Sequence, residues 1–232
     1  LFFYELFSII PAIMGQIRSF ARRKGQITAG QKRALQDKLA RVIPLQDNVI
    51  TYAELFGDNR EVILEVGFGM GLATALIAQN NPHKGYIGVE VYEPGVGKLL
   101  LAIARDAIEN IYIINDDITY VLPQMIAPAS LSGIHVFFPD PWPKKRHHKR
   151  RLLNAKVIND LALRLKTGGY LYVVSDWQNY AEQVLVLLRR ESLLKNAYES
   201  FAPAQEWRPI TRFNEKADEA GRDVYELWFI KI

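Results

Sequence analysis

Three glycines at alternate positions follow a glutamate in the string Glu65-Val66-Gly67-Phe68-Gly69-Met70-Gly71, into which the apolar run 62–66 leads. Glycines between a strand and a helix permit a tight turn and let the backbone approach a ligand where a Cβ would clash. A dinucleotide fingerprint, GxGxxG, needs its third glycine where Leu72 stands, and the spacing here is GxGxG. Glu65 sits just before the loop, where a carboxylate repels a pyrophosphate and favours a cationic ligand. Glu90 ends the next apolar run, about 20 residues past the loop, a placement suited to both hydroxyls of a ribose. Asp117 follows the third such run, within reach of an adenine edge. Any one of these alone reads as a solvated loop carboxylate. Three at successive strand ends beside a glycine loop read as a site for a nucleoside that carries cationic groups. S-Adenosylmethionine, with an amine, a sulfonium and no phosphate, answers that description.

A second constellation lies downstream. Pro139-Asp140-Pro141-Trp142-Pro143 is followed by Lys144-Lys145-Arg146-His147-His148-Lys149-Arg150-Arg151. The prolines hold the backbone extended and stiff, presenting Asp140 and Trp142 rather than letting them wander. The cations offer charge-assisted contacts to phosphates, and arginine also stacks on bases. A charge run often reads as the solvated start of a helix, but cations at a helix N-terminus oppose its dipole. A polyanion would offset that repulsion.

The elements that must position these groups alternate. Apolar runs at 62–66, 86–90, 111–114, 134–138 and 170–174 read as buried strands, and 224–232 as a last strand with no helix after it. Helical patterns fall at 72–79, 97–108, 152–165 and 180–190; in the third, Leu153, Val157, Leu161 and Leu165 form a stripe. Alternation of this kind implies right-handed crossovers and an open, mostly parallel α/β sheet covered on both faces. Ligands in such sheets bind outside the carboxyl ends of the strands, where the glycine loop and the acids fall.

Composition narrows the chemistry. The chain has 232 residues, 49% hydrophobic and 23% charged, enough for one sizeable α/β core. Its 29 Lys+Arg against 25 Asp+Glu leave a net +4, so the clustering of charge says more than its sum. With no cysteine there is no disulfide, zinc ribbon, iron–sulfur ligation or thiolate nucleophile. No metal-binding spacing is present, and His83 and His135 stand alone, as packing or surface residues do. Residues 1–17 are apolar but broken by Glu5 and Pro11 and too short to span a bilayer, so a cytoplasmic protein without a membrane partner is expected. The division expected is an N-terminal extension and basic arm over 1–40, with Arg18, Arg22, Arg23 and Lys24 gripping a polyanion, and a catalytic domain over 41–232. Met14 is the expected natural start, residues 1–13 having no period and no role.

The string FFPDPWPKKRHHKRR, with LEVGFGMG upstream, resembles the bacterial tRNA (guanine-N7-)-methyltransferase family. Ile17-Arg18-Ser19-Phe20 and Thr211-Arg212-Phe213 add to the resemblance, which runs from about Ile17 to the end. It implies a Rossmann-like class I methyltransferase fold with a late antiparallel strand, S-adenosylmethionine as methyl donor and tRNA as partner. Glu65, Glu90, Asp117 and Asp140 match donor-site positions, beside Gly67, Gly69 and Gly71. Lys144, Asp176 and Thr211, Arg212, Phe213 and Asn214 match substrate-site positions, with Asn214 replacing the acid often found there. Arg146, His147, His148, Lys149, Arg150 and Arg151 match the tRNA-contacting stretch.

The implied product is 7-methylguanosine in the tRNA variable loop. Guanine N7 has a lone pair and no proton, so its methylation needs neither a general base nor a cysteine, unlike methylation at carbon 5 of a pyrimidine. What the base needs is a carboxylate against its N1–H and amino group as it turns cationic, with Asp140 first for that catalytic role and Asp176 second. Methylation of another RNA or a small substrate stays open, as do a nicotinamide dehydrogenase of the same fold class and a non-catalytic tRNA-binding protein. Glu65 and the GxGxG spacing oppose the dehydrogenase, and the strand-end acids are idle in the binding protein. Monomer and homodimer are equally compatible with the sequence.

Overall fold

The run before the glycines, Val62–Val66, is buried at all five positions and forms β1 at the centre of a seven-stranded sheet. The computed structural model describes residues 26–37 and 39–232. The basic arm at Arg18, Arg22, Arg23 and Lys24, and the expected start at Met14, lie outside the described residues.

The other strands are β2 (Gly85–Val89), β3 (Ile111–Ile114), β4 (Leu131–Phe137), β5 (Leu165–Ser175), β6 (Leu194–Asn196) and β7 (Tyr225–Lys231). Their order is β3-β2-β1-β4-β5-β7-β6. The first five pair in parallel, and β7 enters antiparallel between β5 and β6, the late antiparallel strand expected. Parallel neighbours require crossovers, supplied by α3 (Leu72–Asn80), α4 (Glu93–Arg105), α5 (Ile118–Met125) and α6 (Ala155–Arg164). α7 (Gln178–Arg190) links β5 to β6, while α8 (Arg212–Glu219) precedes β7. Alternate side chains of β1 feed two separate cores. Leu64 and Val66 pack with Val121, Leu161 and Val184 of α5–α7, and Ile63 packs with Ala75 and Leu99 of α3 and α4. Among the described residues no helix is long and apolar enough to cross a membrane.

Among the described residues two short α-helices precede the sheet, α1 (Ala29–Asp37) and α2 (Tyr52–Phe56). α1 rests on α4: Ala34 joins the core there, and Gln31 Nε2 donates to the Pro94 carbonyl at 3.0 Å. α4 starts at Glu93, a turn earlier than its pattern suggests, because Gly95 and Gly97 hide the helix in the sequence. Both glycines answer to close packing: a Cβ at Gly95 would lie 1.9 Å from the Gly69 carbonyl oxygen, and one at Gly97 2.9 Å from Gln31 Cβ. α5, with Pro123 in its interior, β6, with three residues, and α8, which buries only Ala217, lie outside the runs and stripes read from the sequence.

The half of the sheet beyond α3 and α4 is covered by aromatic rings. Tyr170 stacks on Trp228 at 4.4 Å, and Trp207 stacks on His135 at 5.3 Å. His135, 1% exposed, shares a 3.0 Å hydrogen bond with the Tyr170 hydroxyl, and burial holds its pKa down at about 3, so it packs as a neutral ring. The chain approaching α8 is fastened here by a buried ion pair, Arg208 Nη2 to Glu226 Oε1 at 2.7 Å, with the Tyr172 hydroxyl donating to Glu226 Oε2.

Gly133 lies under this layer. A Cβ there would meet the Tyr170 ring at 2.5 Å, and the ring cannot retreat because Trp228 backs it. Gly133→Ala is therefore expected to lower stability by about 1–3 kcal/mol, as overpacked cores do. A urea midpoint equal to that of the unaltered protein would contradict this packing.

Candidate active site

The carboxyl ends of β1 to β4 converge on a cavity of about 350 Å³. Gly67, Gly69 and Met70 line it after β1, Glu90 and Tyr92 after β2, Asp116 and Asp117 after β3, and Phe138, Pro139 and Asp140 after β4. Leu152 and Phe213 close its sides. Six residues singled out in the sequence thus meet around one space: Gly67, Gly69, Glu90, Asp117, Asp140 and Phe213.

The glycine loop divides its labour. Gly67 and Gly69 have φ of +72° and +59°, and a Cβ at either would find no atom within 4 Å. Their backbone faces open space, the cradle that a close-lying ligand needs. Gly71 (φ +71°) instead caps α3, where a Cβ would stand 2.6 Å from Leu99 Cβ, and serves packing. Glu90 ties the loop to the second strand end. Its Oε2 accepts from Gly69 N at 2.8 Å, and its Oε1 accepts from Val91 N at 2.7 Å and Tyr92 N at 2.9 Å. Burial pushes its pKa up, against the pull of those three N–H groups, and the charge of Asp140 adds to the rise.

Glu65 does not line the cavity. It is 3% exposed, beneath the loop and beside the Thr74 hydroxyl of α3. Burial raises its carboxyl from 4.5 to about 7, opposed by Thr74 and reinforced by the charge of Glu90. A cation held above the loop would favour its ionised form through space. Asp117 caps α5, its Oδ1 accepting from Thr119 N at 2.9 Å and Thr119 Oγ1 at 2.8 Å. Asp116, which sequence reasoning passed over, stands on the same wall and accepts from Asp117 N at 2.6 Å. Its only signal was adjacency to Asp117.

The rim after β4 is strained and braced. Phe138 (φ +49°) and Trp142 (φ +45°) occupy the left-handed region on either side of Pro139-Asp140-Pro141. Such backbone costs about 1–3 kcal/mol per residue and persists only where surroundings impose it. Asp140 is exposed at the cavity mouth. Lys145–Arg150 then form a 3-10 turn, capped by Lys144, rather than the start of a long helix. Arg150 lies over the Trp142 ring at 5.1 Å and His147 meets its edge at 5.9 Å, so the tryptophan organises the run. Partial burial, then Arg146, Arg150, Lys144 and Lys149, hold the His147 pKa below its ordinary value. Lys144, Arg146, Lys149 and Arg150 are exposed, His147 and His148 half-buried, and Arg151 buried.

α8 brings the remaining substrate candidates. Phe213, 52% exposed, stacks on Phe138 at 5.4 Å and 14°. Thr211 caps the helix, and Asn214 Oδ1 accepts from Thr211 N at 3.0 Å, Thr211 Oγ1 at 3.0 Å and Arg208 Nη1 at 3.2 Å. Asn214 is thereby turned inward, while Arg212 is exposed. Asp176, at the end of β5 and outside the cavity wall, is held by Arg222, whose Nε and Nη2 donate to Oδ2 at 3.0 and 2.8 Å. Phe138, Arg208 and Arg222 carried no spacing signal; their roles arise from contacts distant in sequence. Among the described residues no three or more His, Asp or Glu are grouped to hold a metal.

A family model described as "Putative methyltransferase" matches residues 59–227. A tRNA (guanine-N(7)-)-methyltransferase of Burkholderia cenocepacia (strain HI2424) is 48% identical over 217 residues, 93% of this chain and 85% of that protein. The chain belongs to the tRNA (guanine-N7-)-methyltransferase family. Another relative of the same description, from Paraburkholderia xenovorans (strain LB400), is 47% identical over 93% of this chain and 84% of its own. Among solved structures, the 16S rRNA methyltransferase KamB aligns with a TM-score of 0.58 at 15% identity, over 83% of this chain and 99% of that one. An antibiotic-related methyltransferase aligns at 0.53 and 16%, over 77% and 92%. At such identities the likeness is one of fold, the Rossmann-like class I methyltransferase fold. S-Adenosylmethionine is the cofactor of such a methyltransferase, and an open glycine cradle beside a buried carboxylate suits it.

Glu65 makes the donor-free protein pH-sensitive. Its folded pKa lies above its unfolded value, so its stabilising contribution is complete below pH 4.5 and is lost as pH rises through about 7. The loss is on the order of 3 kcal/mol. Glu65→Gln should abolish it, so the variant gains on the unaltered protein in urea unfolding between pH 5 and pH 8. A stability difference that stays constant over that range would contradict the assignment.

Proposed function

We propose that this protein methylates N7 of a guanine in the variable loop of tRNA, with S-adenosylmethionine as the methyl donor. One observation carries the reading: the glycine cradle and Glu90 share a single cavity with Asp140 and Phe213, and a basic turn follows at its rim. Bound S-adenosylmethionine supplies an electrophilic methyl group. The chain's own residues then position the partners and balance charge. Guanine N7 is an exposed acceptor with a free lone pair, so no residue has to remove a proton. Holding the reacting atoms in a near-attack arrangement is worth about 7–11 kcal/mol of the barrier.

Gly67 and Gly69 give the donor its close approach, and Glu90 fixes that loop while presenting oxygens toward the ribose position. Asp140 accepts hydrogen bonds from the guanine N1–H and amino group and stabilises the positive charge that grows on the base. Phe213, backed by Phe138, offers a flat face on which the base stacks once it has left its tertiary contacts. The exposed cations from Lys144 to Arg150 neutralise phosphates on either side. A tRNA substrate puts the activity in the cytoplasm.

Asp140→Ala should cut turnover by about 100-fold or more while leaving affinity for S-adenosylhomocysteine within a few-fold. A parallel loss of donor affinity would assign Asp140 to the donor instead. The basic turn has a separate signature. If three or four of its cations meet phosphates, log K for tRNA should fall against log salt with a slope of roughly −2 to −4. Neutralising two exposed members should reduce that slope by about one to two units, and a slope near zero in the intact protein would remove the run from the RNA interface.

A further inference from the structure

Arg151 ends the basic run and differs from its other lysines and arginines. It is 2% exposed, whereas Lys144, Lys145, Arg146, Lys149 and Arg150 are exposed. Its Nε donates to the Pro141 carbonyl at 2.8 Å, its Nη2 to Asn179 Oδ1 at 3.1 Å, and its Nη1 to Gln183 Oε1. The guanidinium lies 4.8 Å from the centre of the Tyr180 ring. One planar fork therefore joins the loop after β4 to the first two turns of α7. A lysine ammonium, a point charge on a flexible stem, cannot span the same three acceptors in fixed directions.

What the fork holds matters for the reaction. Pro141 is the residue next to Asp140, and its carbonyl is the group Arg151 grips. That loop is bounded by two residues in left-handed backbone, a conformation that needs an external brace. Tyr180 completes the brace, its hydroxyl accepting from Leu153 N at 3.1 Å on the far side of the run. The charges of both Arg151 and Asp140 reach the same hydroxyl, in opposite directions.

We propose that Arg151 is a positioning residue for methyl transfer, a buried strut that sets the Asp140 loop, and not one of the cations that contact tRNA. The proposal rests on the methyl-transfer reading above and adds a division within the run: solvent-facing cations for phosphate, and a last one turned inward for the site.

Three variants separate these roles: Arg151→Lys, Arg151→Met and the double variant Asn179→Ala/Gln183→Leu, which keeps every cation and removes two acceptors. Turnover is measured at saturating tRNA and donor, per site counted by S-adenosylhomocysteine stoichiometry, so that unfolded protein does not enter the rate. Binding of tRNA is measured across a salt series. The expected result is a loss of about tenfold or more in turnover per site in all three variants. The salt slope should be unchanged in Arg151→Met, while Arg150→Gln lowers it by about 0.7–0.9. A drop of that size in Arg151→Met would overturn the proposal by making Arg151 a phosphate contact. Full turnover per site in the double variant would overturn it as well, and decides the matter if Arg151→Met does not fold. An unaltered protein that transfers no methyl group to tRNA would instead overturn the functional reading, so the two failures are distinguishable.

Discussion

A single carboxylate, that of Glu90, binds two strand ends into one site. It accepts from Gly69 in the loop after β1 and from Val91 and Tyr92 after β2, so the cradle and the second wall cannot drift apart. The close approach of α4 presses the same loop from behind, because only a glycine at position 95 lets the Gly69 carbonyl through. Without these two constraints, three left-handed glycines in five residues would be a mobile turn, at a high cost in conformational entropy. With them the loop is held from two sides, which favours the positioning that lowers a barrier.

Charge is layered around that rigid floor. Glu65 lies buried underneath, Glu90, Asp116 and Asp117 stand in the walls, and Asp140 is at the mouth. Outside comes a shell of exposed cations on a 3-10 turn organised by Trp142. This layering suits the proposed reaction, with a cationic donor toward the inner layer and a polyanionic acceptor toward the outer one. Burial raises the pKa of Glu65 and Glu90, which favours their neutral forms, and a nearby positive charge would favour ionisation again.

Much of this was legible in the sequence, because central parallel strands and glycine turns leave strong local marks. The run 62–66 became β1 residue for residue; Glu90 and Asp117, named from spacing, and Asp140, named from the proline segment, stand in the cavity wall, with Glu65 buried outside it. What escaped depends on contacts between distant segments. The first turn of α4 was hidden by glycines whose reason lies in Gly69 and Gln31. Arg151 reads as a cation like its neighbours until Pro141, Asn179 and Gln183 surround it. Phe138 shows its backbone strain and its stacking on Phe213 only once α8 is in place.

In the proposed reaction this cavity brings a methyl donor and a tRNA guanine together at N7. The most direct measurement is transfer of labelled methyl groups from S-adenosylmethionine to unmodified tRNA, followed by digestion to nucleosides and mapping of the labelled position. The expected result is label in 7-methylguanosine alone, at one position of the variable loop. Label in any other nucleoside, or transfer to a small molecule or protein with none to tRNA, would contradict it.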